Sequence, residues 1–322
     1  MSTPDELIVE VSENVLADVD PVAEEGEPHP IWSTMVELGW PHVGLAEPVG
    51  GPGGSLADLC ALVSATARRG IGVPLLEMSL SCWVLQEPLE DLVVFARSPQ
   101  WVPWGRCAER LLVVPERGEP HLVDLRAPGV SVRPGSNLAA EPRDAVHVDD
   151  RAAVTRASPA FDPELVGARA ALLNSAALLG AARGALELTR QHVQQRHQFG
   201  KPLLALPPVA NALAEVRAEL VAAEAALERA VQVHQQRAEH APAATAVAKI
   251  SAARTATAVA RTAHQLHGAM GVTREHRLHL VTRRLWAWRD EHGSERSWAR
   301  WLGSTAERSG EHAVWDVLTS RV

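Results

Sequence analysis

The stretch of sequence that decides the fold reads Arg-His-Gln-Phe-Gly-Lys-Pro at residues 196–202, and a companion stretch reads Gln-Leu-His-Gly-Ala-Met-Gly-Val-Thr at residues 265–273. Each follows an alanine-rich run and places polar or cationic side chains beside glycines. Glycine lets another molecule approach the backbone, and helix ends offer unpaired backbone groups to a ligand. Both stretches are therefore candidate ligand-binding connections. We expect Arg196 near the C-terminal end of one helix and Phe199-Gly200 as the turn into the next.

The chain from Asp162 onward has the composition and period of a helical bundle. Three long alanine-rich runs are predicted to be helices, over Leu165–Arg196, Val209–Glu239 and Ala243–Leu266. The second carries apolar residues at alternating steps of three and four, which is the period of a helix face. Such helices pack side by side, and a second subunit can cover what one copy leaves exposed. We expect a bundle of four or five helices.

The middle of the chain has the pattern of short strands. Residues 111–114 and 121–125 predict a hairpin around a proline-containing turn. Two further strands are predicted over Val130–Arg133 and Ala145–Val148, with proline and glycine between them. These residues form a small β domain.

The N-terminal part is predicted to be helical. One short helix is expected over Ile31–Leu38, ended by Gly39, and another over Leu56–Arg69 with Ser55 as its N-cap. The fold class is therefore α+β, because alternating βα units and a Gly-x-Gly-x-x-Gly motif are both missing from the sequence. The predicted domains are an N-terminal α lobe over residues 1–90, a middle β domain over 91–158, and a C-terminal helical bundle over 159–322.

Composition excludes several classes of function. A net charge of −8 argues against nucleic acid or an anionic membrane surface as the main partner. The chain has no tyrosine, which excludes any mechanism that needs a phenol. The first thirty residues are acidic, and no uninterrupted apolar run approaches the ~20 residues that cross a bilayer, so a cytoplasmic location is expected. The three cysteines, Cys60, Cys82 and Cys107, lack metal-binding spacing and are predicted to be reduced packing thiols.

The two opening stretches resemble the cofactor-binding signatures of the acyl-CoA dehydrogenases, flavoenzymes that oxidise acyl thioesters between Cα and Cβ. The first is similar to the family string Arg-x-x-Phe-Gly-Lys-Pro-Leu. The second is similar to Gln-x-x-Gly-Gly-x-Gly-x-Thr, with Ala269 in place of one glycine. Leu-Gly-Trp at residues 38–40 and the glycine-rich loop at 50–54 extend the resemblance to most of the chain after Pro30. The resemblance implies the fold of that family and FAD as cofactor.

The resemblance also implies a set of FAD-binding residues. Arg196 would contact the pyrophosphate, often across a subunit interface, and the planar fork of a guanidinium suits a diphosphate. Phe199 would pack near the adenosine, and Gln265 and the glycines after it would approach the adenine-diphosphate end. The carried-over set is Arg196, Gln198, Phe199, Leu203, Gln265, Gly268, Ala269 and Ser294.

Three departures from the family pattern bear on catalysis. The motif Thr-Glu-Pro-x-x-Gly-Ser-Asp, whose strand lines the flavin ring in the family, has no counterpart within residues 76–101. Leu206-Pro207 stands where the family has an aromatic residue or histidine followed by glutamine. Where many members place a catalytic Glu before Gly-Thr, this chain has His292 before Gly293-Ser294. Other members carry the base on the first bundle helix, where this chain has Ala170.

Glu291 is the candidate catalytic base of this chain. It lies one residue from the family's position and Asp290 lies two, so a one-residue slip in the turn would present Glu291 to the flavin. Removal of a thioester α-proton needs a base whose pKa is raised in a dry pocket. Two alternatives stay open: a solvated acidic turn without a catalytic role, and His292 as an imidazole base.

The resemblance implies α,β-dehydrogenation of an acyl-CoA, with electrons passed to an electron-transferring flavoprotein. Because the site is incomplete, the chain is expected to be one subunit of an α2β2 heterotetramer whose homologous partner supplies the base, or else a homo-oligomer. The alternatives are a non-catalytic structural or acyl-thioester-binding homologue, and a self-sufficient dehydrogenase that uses Glu291. No metal is expected, since Glu275, His276 and His279 lack the paired Glu-x-x-His motifs of a di-iron bundle.

Overall fold

The computed structural model describes residues 4–149, 154–157, 161–273, 275–310, 312, 315 and 319. The predicted boundary between the middle domain and the bundle, at residues 158–159, lies outside them. The chain divides into two compact units. The first comprises Met1–Val63 and Ile71–Leu173, and the second comprises Ser64–Gly70 and Asn174–Val322.

Four helices form the N-terminal part of the chain. They are α1 (Pro4–Leu16), α2 (Ile31–Glu37), α3 (Leu56–Arg69) and α4 (Leu75–Leu85). The predictions of α2 and α3 are confirmed. Helix α3 begins at the predicted residue because Ser55 and Asp58 cap it reciprocally. The Asp58 amide donates to Ser55 Oγ at 3.0 Å, and the Ser55 amide donates to the Asp58 carboxylate at 2.7 Å.

Helix α4 has no counterpart among the predicted elements. Eight of its eleven residues are buried, including the polar Glu77, Ser79 and Ser81. A helix that is covered on nearly every side lacks the alternation of apolar and polar faces from which a helix is predicted.

The middle of the chain folds into two small sheets. Strands β1 (Val93–Ala96), β3 (Arg110–Val113), β4 (His121–Asp124) and β7 (Val154–Arg156) form one sheet in the order β1-β3-β4-β7. Strands β2 (Val102–Pro103), β6 (Arg143–Val148) and β5 (Val130–Arg133) form the other in the order β2-β6-β5. The predicted hairpin is confirmed, because β3 and β4 pair antiparallel with Leu111 opposite Val123. Both residues belong to a buried apolar cluster that also includes residues of β1, β2 and β6.

Helices predominate in the described residues from Pro163 onward. They are α5 (Pro163–Gln195), α6 (Pro207–Gln236), α7 (Ala241–His267), α8 (Leu278–Trp288) and α9 (Glu295–Ser309). The three predicted alanine-rich helices are confirmed as α5, α6 and α7. The predicted stripe on α6 is its inner face, with Val216, Leu220 and Ala223 buried. Helix α6 ends three residues before the predicted end because residues 238–240 form a 3-10 turn.

Helix α5 is long and apolar enough to cross a membrane by length and composition alone. However, 89% of its most apolar 18-residue window is buried inside the protein, as in the core helix of a globular fold. Small residues explain this close packing. In the second unit, Gly180 and Gly184 of α5 lie directly against the backbone oxygens of Ser64 and Arg68 in α3.

Candidate cofactor-binding site

The first candidate stretch forms a small hairpin after α5. Two short strands, β8 (His197–Gln198) and β9 (Lys201–Pro202), pair antiparallel. Phe199 and Gly200 connect them with φ of 53° and 77°. A two-residue hairpin turn with positive φ at both central residues matches the right-handed twist of its strands. This turn directs the Phe199 side chain outward, where it is 86% exposed.

Phe199-Gly200 forms a turn between the two helices, and the next helix begins at Pro207, two residues before the predicted start at Val209. The Leu203 amide donates to the Arg196 carbonyl at 2.8 Å and closes the hairpin, and a 3-10 turn over Leu203–Ala205 follows before α6. Prolines explain why several non-helical residues separate the hairpin from α6. Pro202 and Pro207 each disfavour a helical conformation in the residue before them, and Leu206 is indeed extended.

The polar side chains of this hairpin are open to solvent. Arg196 and Gln198 are exposed. Within the part of the chain that the structure describes, the Arg196 guanidinium has neither a hydrogen bond nor an ion pair, since its only hydrogen bonds are those of its backbone. The predicted binding residue Leu203 is half-buried at the base of the hairpin. The hairpin therefore presents an exposed cation and an exposed aromatic ring on a closed turn.

The second candidate stretch ends α7. Gln265 lies exposed in the last turn of the helix, and Gly268 ends it with φ of 59°, followed by a 3-10 turn over Gly268–Val272. Ala269, which replaces a family glycine, is exposed in this turn. A Cβ at Gly271 would lie 2.8 Å from His267 Cβ, so that glycine is required by packing. A Cβ at Gly268 would meet nothing within 4 Å, so that backbone faces open space.

A pair of histidines brings the two stretches together. The ring of His192, one turn before Arg196 on α5, stacks on the ring of His267 at the end of α7 with centroids 4.4 Å apart. Burial lowers the pKa of His192, and the nearby positive charge of Arg196 lowers it further. Arg196 and Gln265 therefore project from adjoining helix ends of the second unit.

The turn that carries Glu291 is held at several points. The Glu291 amide donates to the Trp288 carbonyl at 3.1 Å, and the indole N–H of Trp298 donates to the His292 carbonyl at 3.0 Å. His292 has φ of 53°. Ser294, a predicted cofactor contact, is the N-cap of α9 and accepts the Ser297 amide at 3.2 Å. Glu291 is half-buried, which is compatible with either a catalytic or a solvated carboxylate.

Lys249 fixes this turn from inside the bundle. It is fully buried on α7, and its ammonium group donates to the carbonyls of Arg289 at 3.1 Å and Trp288 at 3.3 Å and to the side-chain oxygen of Asn174. Burial lowers the pKa of Lys249 to about 7, while the carboxylates of Glu291 and Asp290 act in the opposite direction. Lys249 thus caps the C-terminal end of α8 directly before Asp290.

The candidate base and the two binding stretches lie at different levels of the bundle. Lys249, which touches the turn of Glu291, precedes Gln265 on α7 by sixteen residues. At 1.5 Å per residue of helix this is about 24 Å. The predicted residues therefore form two separate groups, one near Gln265 and Arg196 and one near Glu291 and Ser294.

Neither the cysteines nor the alternative base position offers a nucleophile or base. The cysteines are free, and burial raises the pKa of Cys60 to about 12, of Cys82 to about 11 and of Cys107 to about 12. Thiols of such high pKa are protonated and unreactive. Ala170, at the alternative base position, is buried and has no functional group.

The exposed group fits one end of a dinucleotide. This end of a dinucleotide needs a guanidinium that is not engaged elsewhere, to bind the diphosphate. It also needs backbone that the ligand can approach and an apolar surface against which the base can pack. Arg196, Gly268 and Phe199 satisfy these needs in turn. Fewer residues are available to line a flavin ring. Only residues 97–101 lie between β1 and β2, and the ring-lining motif of the family has no counterpart there.

Three residues of this region were not singled out by the sequence pattern. Lys249 lies on an alanine-rich helix that also carries Arg254 and Arg261, so the sequence alone does not mark it as the buried cation. His192 and His267 are separated by 75 positions, so only the packing of α5 against α7 reveals that their rings touch.

Comparison with known proteins places these features in one family. A model of the acyl-CoA dehydrogenase N-terminal domain matches residues 5–91, and a model of the acyl-CoA dehydrogenase C-terminal domain matches residues 168–295. The acyl-CoA dehydrogenase IpdE2 of Mycobacterium tuberculosis is 26% identical over 305 residues, which are 91% of this chain and 89% of that protein. IpdE2 of Mycolicibacterium smegmatis is 26% identical over 269 residues, which are 79% and 80% of the two chains.

A solved structure shows the same fold. The ChsE4-ChsE5 complex from Mycobacterium tuberculosis contains a chain that superimposes with a TM-score of 0.85 at 18% identity, covering 95% of this chain and 98% of that one. The predicted α+β fold, with N-terminal helices, a small β region and a C-terminal bundle, is thereby confirmed.

Proposed function

The chain belongs to the acyl-CoA dehydrogenase family, and we propose that it is one subunit of a heteromeric enzyme that oxidises an acyl-CoA thioester between Cα and Cβ with FAD. The observation that carries this proposal is the exposed Arg196–Phe199 hairpin beside the open backbone of Gly268. A binding group that faces outward on its own chain is suited to a cofactor held together with another chain.

The separation of the two residue groups supports a shared cofactor. The Glu291 turn and the group around Arg196 and Gln265 lie about 24 Å apart along α7, so the two groups are suited to different FAD molecules. The short connection at residues 97–101 leaves this chain with little to line a flavin ring. The structural relative ChsE4-ChsE5 is itself a complex.

The residues of this chain then have distinct roles. The Arg196 guanidinium would hold the diphosphate, Phe199 would pack near the adenosine, and Gln198 and Gln265 would offer polar groups to that end of the cofactor. Leu203 and Ala269 lie within the two binding stretches, whereas Ser294 belongs to the separate group with Glu291. Bound FAD supplies the hydride acceptor, and the partner's carboxylate removes the α-proton. Glu291 is the carboxylate that this chain has in the turn where many family members place the catalytic base.

The remaining expectations follow from this assignment. The three-part division at residues 1–90, 91–158 and 159–322 is the domain plan that we propose. An electron-transferring flavoprotein is the proposed electron acceptor, and the cytoplasm is the proposed location. Neither a nucleic acid nor a membrane is proposed as a partner, in view of the net charge of −8.

Co-expression with the homologous subunit encoded by an adjacent gene tests the proposal. We expect the chain purified alone to be colourless and inactive, and the co-purified complex to show flavin absorbance and to reduce an electron-accepting dye when acyl-CoA is added. A yellow, active homo-oligomer from this chain alone would refute the heteromeric assignment.

Substitution of Glu291 assigns the base. Within the complex, Glu291→Gln is expected to keep both flavin and dye reduction, because the partner supplies the base. The matched control is Glu295→Gln, a partly exposed carboxylate on α9 that pairs with Arg254 at 2.7 Å. Loss of dye reduction with flavin retained, in the Glu291 variant alone, would move proton removal to this chain.

A second function is favoured by the substitutions at both base positions. His292 stands at one and the buried Ala170 at the other, which is compatible with a structural or acyl-thioester-binding homologue without turnover. Absence of flavin from both the lone chain and the co-purified complex would favour this function.

A further inference from the structure

Three histidine rings that are distant in sequence meet at the end of the bundle in the second unit. His192 lies on α5, His267 ends α7, and His276 precedes α8. One ring nitrogen from each lies within 4.8 Å of the others. The ring of His276 stands edge-on to that of His267, with centroids 4.7 Å apart.

The tautomer of His267 leaves a buried lone pair on one of its ring nitrogens. Its Nδ1 lies 2.8 Å from the Ala263 carbonyl, which can only accept, so Nδ1 carries the proton. Its Nε2 is therefore an acceptor, and it is buried without a hydrogen-bond partner among the described residues. The side chain as a whole is only 5% exposed. An unpaired buried polar atom is unfavourable, and a water, a ligand or an ion bound to it would explain it.

The hydrogen bond of His267 Nδ1 also suits a metal ligand. A ring whose other nitrogen donates to a backbone carbonyl is the usual arrangement of a metal-binding histidine, because that hydrogen bond fixes the ring and raises its basicity.

We propose that His192, His267 and His276 bind a divalent transition-metal ion of the zinc class. Three imidazoles suit zinc, copper or nickel in preference to calcium or magnesium, and they leave a fourth position for water or another ligand. In a tetrahedral zinc site the nitrogens lie about 3.4 Å apart, so the nitrogens approach one another by at most ~1.4 Å. The rings of His192 and His267, now stacked at 21°, also turn so that their in-plane lone pairs converge on the ion. The proposed ligands are distinct from the residues proposed to bind FAD.

One existing contact changes when the ion binds. His276 Nδ1 accepts the Leu278 amide at 3.1 Å, which places the proton of the neutral ring on Nε2. Coordination through Nε2 moves that proton to Nδ1 and gives up this hydrogen bond. The exchange of one hydrogen bond for a metal–nitrogen bond is favourable.

The position of the site gives it a structural role. His192 and Arg196 are one turn apart on α5, and His267 directly precedes Gly268. An ion that joins the three rings would fix the relative position of the two candidate binding stretches. Packing of neutral rings is the competing explanation of the cluster, but stacking does not provide a partner for His267 Nε2.

Replacement of histidine by phenylalanine separates the two explanations, because phenylalanine keeps a stacking ring and removes the ligand nitrogen. Tag-free protein, stripped of metal with a chelator, is titrated with Zn²⁺ in a calorimeter and with Co²⁺ in a spectrophotometer. The wild-type chain is expected to bind one ion, with the visible bands of tetrahedral Co²⁺. His192→Phe and His276→Phe are expected to bind at least tenfold more weakly.

Two controls make the result decisive. His240→Phe, a half-buried histidine outside the cluster, is expected to bind as the wild type does. Circular dichroism verifies that each variant is folded, and either cluster variant suffices if the other does not fold. Absence of saturable binding in the wild type, or equal binding in a folded cluster variant and the wild type, would overturn the proposal.

Discussion

At the scale of single residues, Lys249 has the largest effect on the structure of the turn that contains Glu291. It is one of two lysines in the chain, and its ammonium group satisfies two carbonyls at the end of α8 from inside the bundle. Burying a charge is costly unless its donors are matched by acceptors, and here Asn174 supplies the third. The position of the Asp290–Gly293 turn therefore depends on a side chain on another helix.

Replacement of Lys249 by methionine is expected to destabilise the protein by about 1–3 kcal/mol, because two carbonyls and Asn174 lose their donor. Thermal unfolding followed by circular dichroism measures the change. Lys201→Met, at the other, exposed lysine, is the control and is expected to change the midpoint little. Equal midpoints for the Lys249 variant and the wild type would contradict the capping role.

The stability difference should also depend on pH. The pKa of Lys249 is lowered from 10.5 to about 7 in the folded chain, so between these values the unfolded chain binds a proton that the folded chain does not. Stability from this group therefore rises with pH across that window. The deficit of Lys249→Met is expected to be smallest near pH 7 and to grow toward pH 10. A deficit that is constant or shrinks over this range would be inconsistent with the lowered pKa.

At the scale of elements, the hairpin of β8 and β9 combines local strain with exposure. Phe199 has φ of 53°, a conformation that a large side chain rarely adopts, and its ring gains no burial in return. Asparagine followed by glycine is the preferred pair for such a turn. Strain at an exposed aromatic residue points to a role in binding.

Phe199→Asn is therefore expected to maintain or raise the thermal midpoint while it weakens binding of FAD to the co-purified complex about tenfold, the loss of one stacking contact. Differential scanning fluorimetry and flavin titration measure the two effects separately. A variant that binds flavin as tightly as the wild type would remove Phe199 from the binding group.

The contact of α5 with α3 in the second unit depends on small residues. A Cβ at Gly184 would overlap the Arg68 carbonyl, whereas a Cβ at Gly303, exposed in α9, would meet nothing within 4 Å. The two glycines thus form a matched pair in which the same substitution meets opposite surroundings.

Gly184→Ala is expected to destabilise the protein by about 1–3 kcal/mol through overpacking. Gly303→Ala is expected to stabilise it by about 0.5–1 kcal/mol, because alanine favours the helix. Chemical denaturation of the two variants provides the comparison. Similar effects of both substitutions would show that the approach of α5 to α3 is not tight.

At the scale of the whole molecule, the sequence predicts the elements whose pattern is local. The stripe on α6, the Ser55 cap of α3 and the hairpin of β3 and β4 all follow from neighbouring residues. Helix α4 escapes prediction because it is buried on nearly all sides, and β2 because it is only two residues long. Short or fully covered elements depend on contacts that periodicity does not contain.

The residues of the candidate site also divide into those that the sequence predicts and those that it does not. The signature residues from Arg196 to Ser294 are readable in sequence because they stand at fixed spacings in the family's strings. Lys249 and the three-histidine cluster are not, since each acts through helices far apart along the chain. The pairing of β8 with β9 between α5 and α6 is not predicted either, because each of these strands is only two residues long.

The central claim is that the exposed hairpin of this chain grips the diphosphate of an FAD held with a partner. The most direct measurement is the flavin content of the co-purified complex carrying Arg196→Gln, beside Arg190→Gln, an exposed arginine earlier on α5. We predict that the Arg196 variant assembles normally but loses most of its flavin, while the Arg190 variant retains it. Full flavin content in a correctly assembled Arg196→Gln complex would contradict the claim.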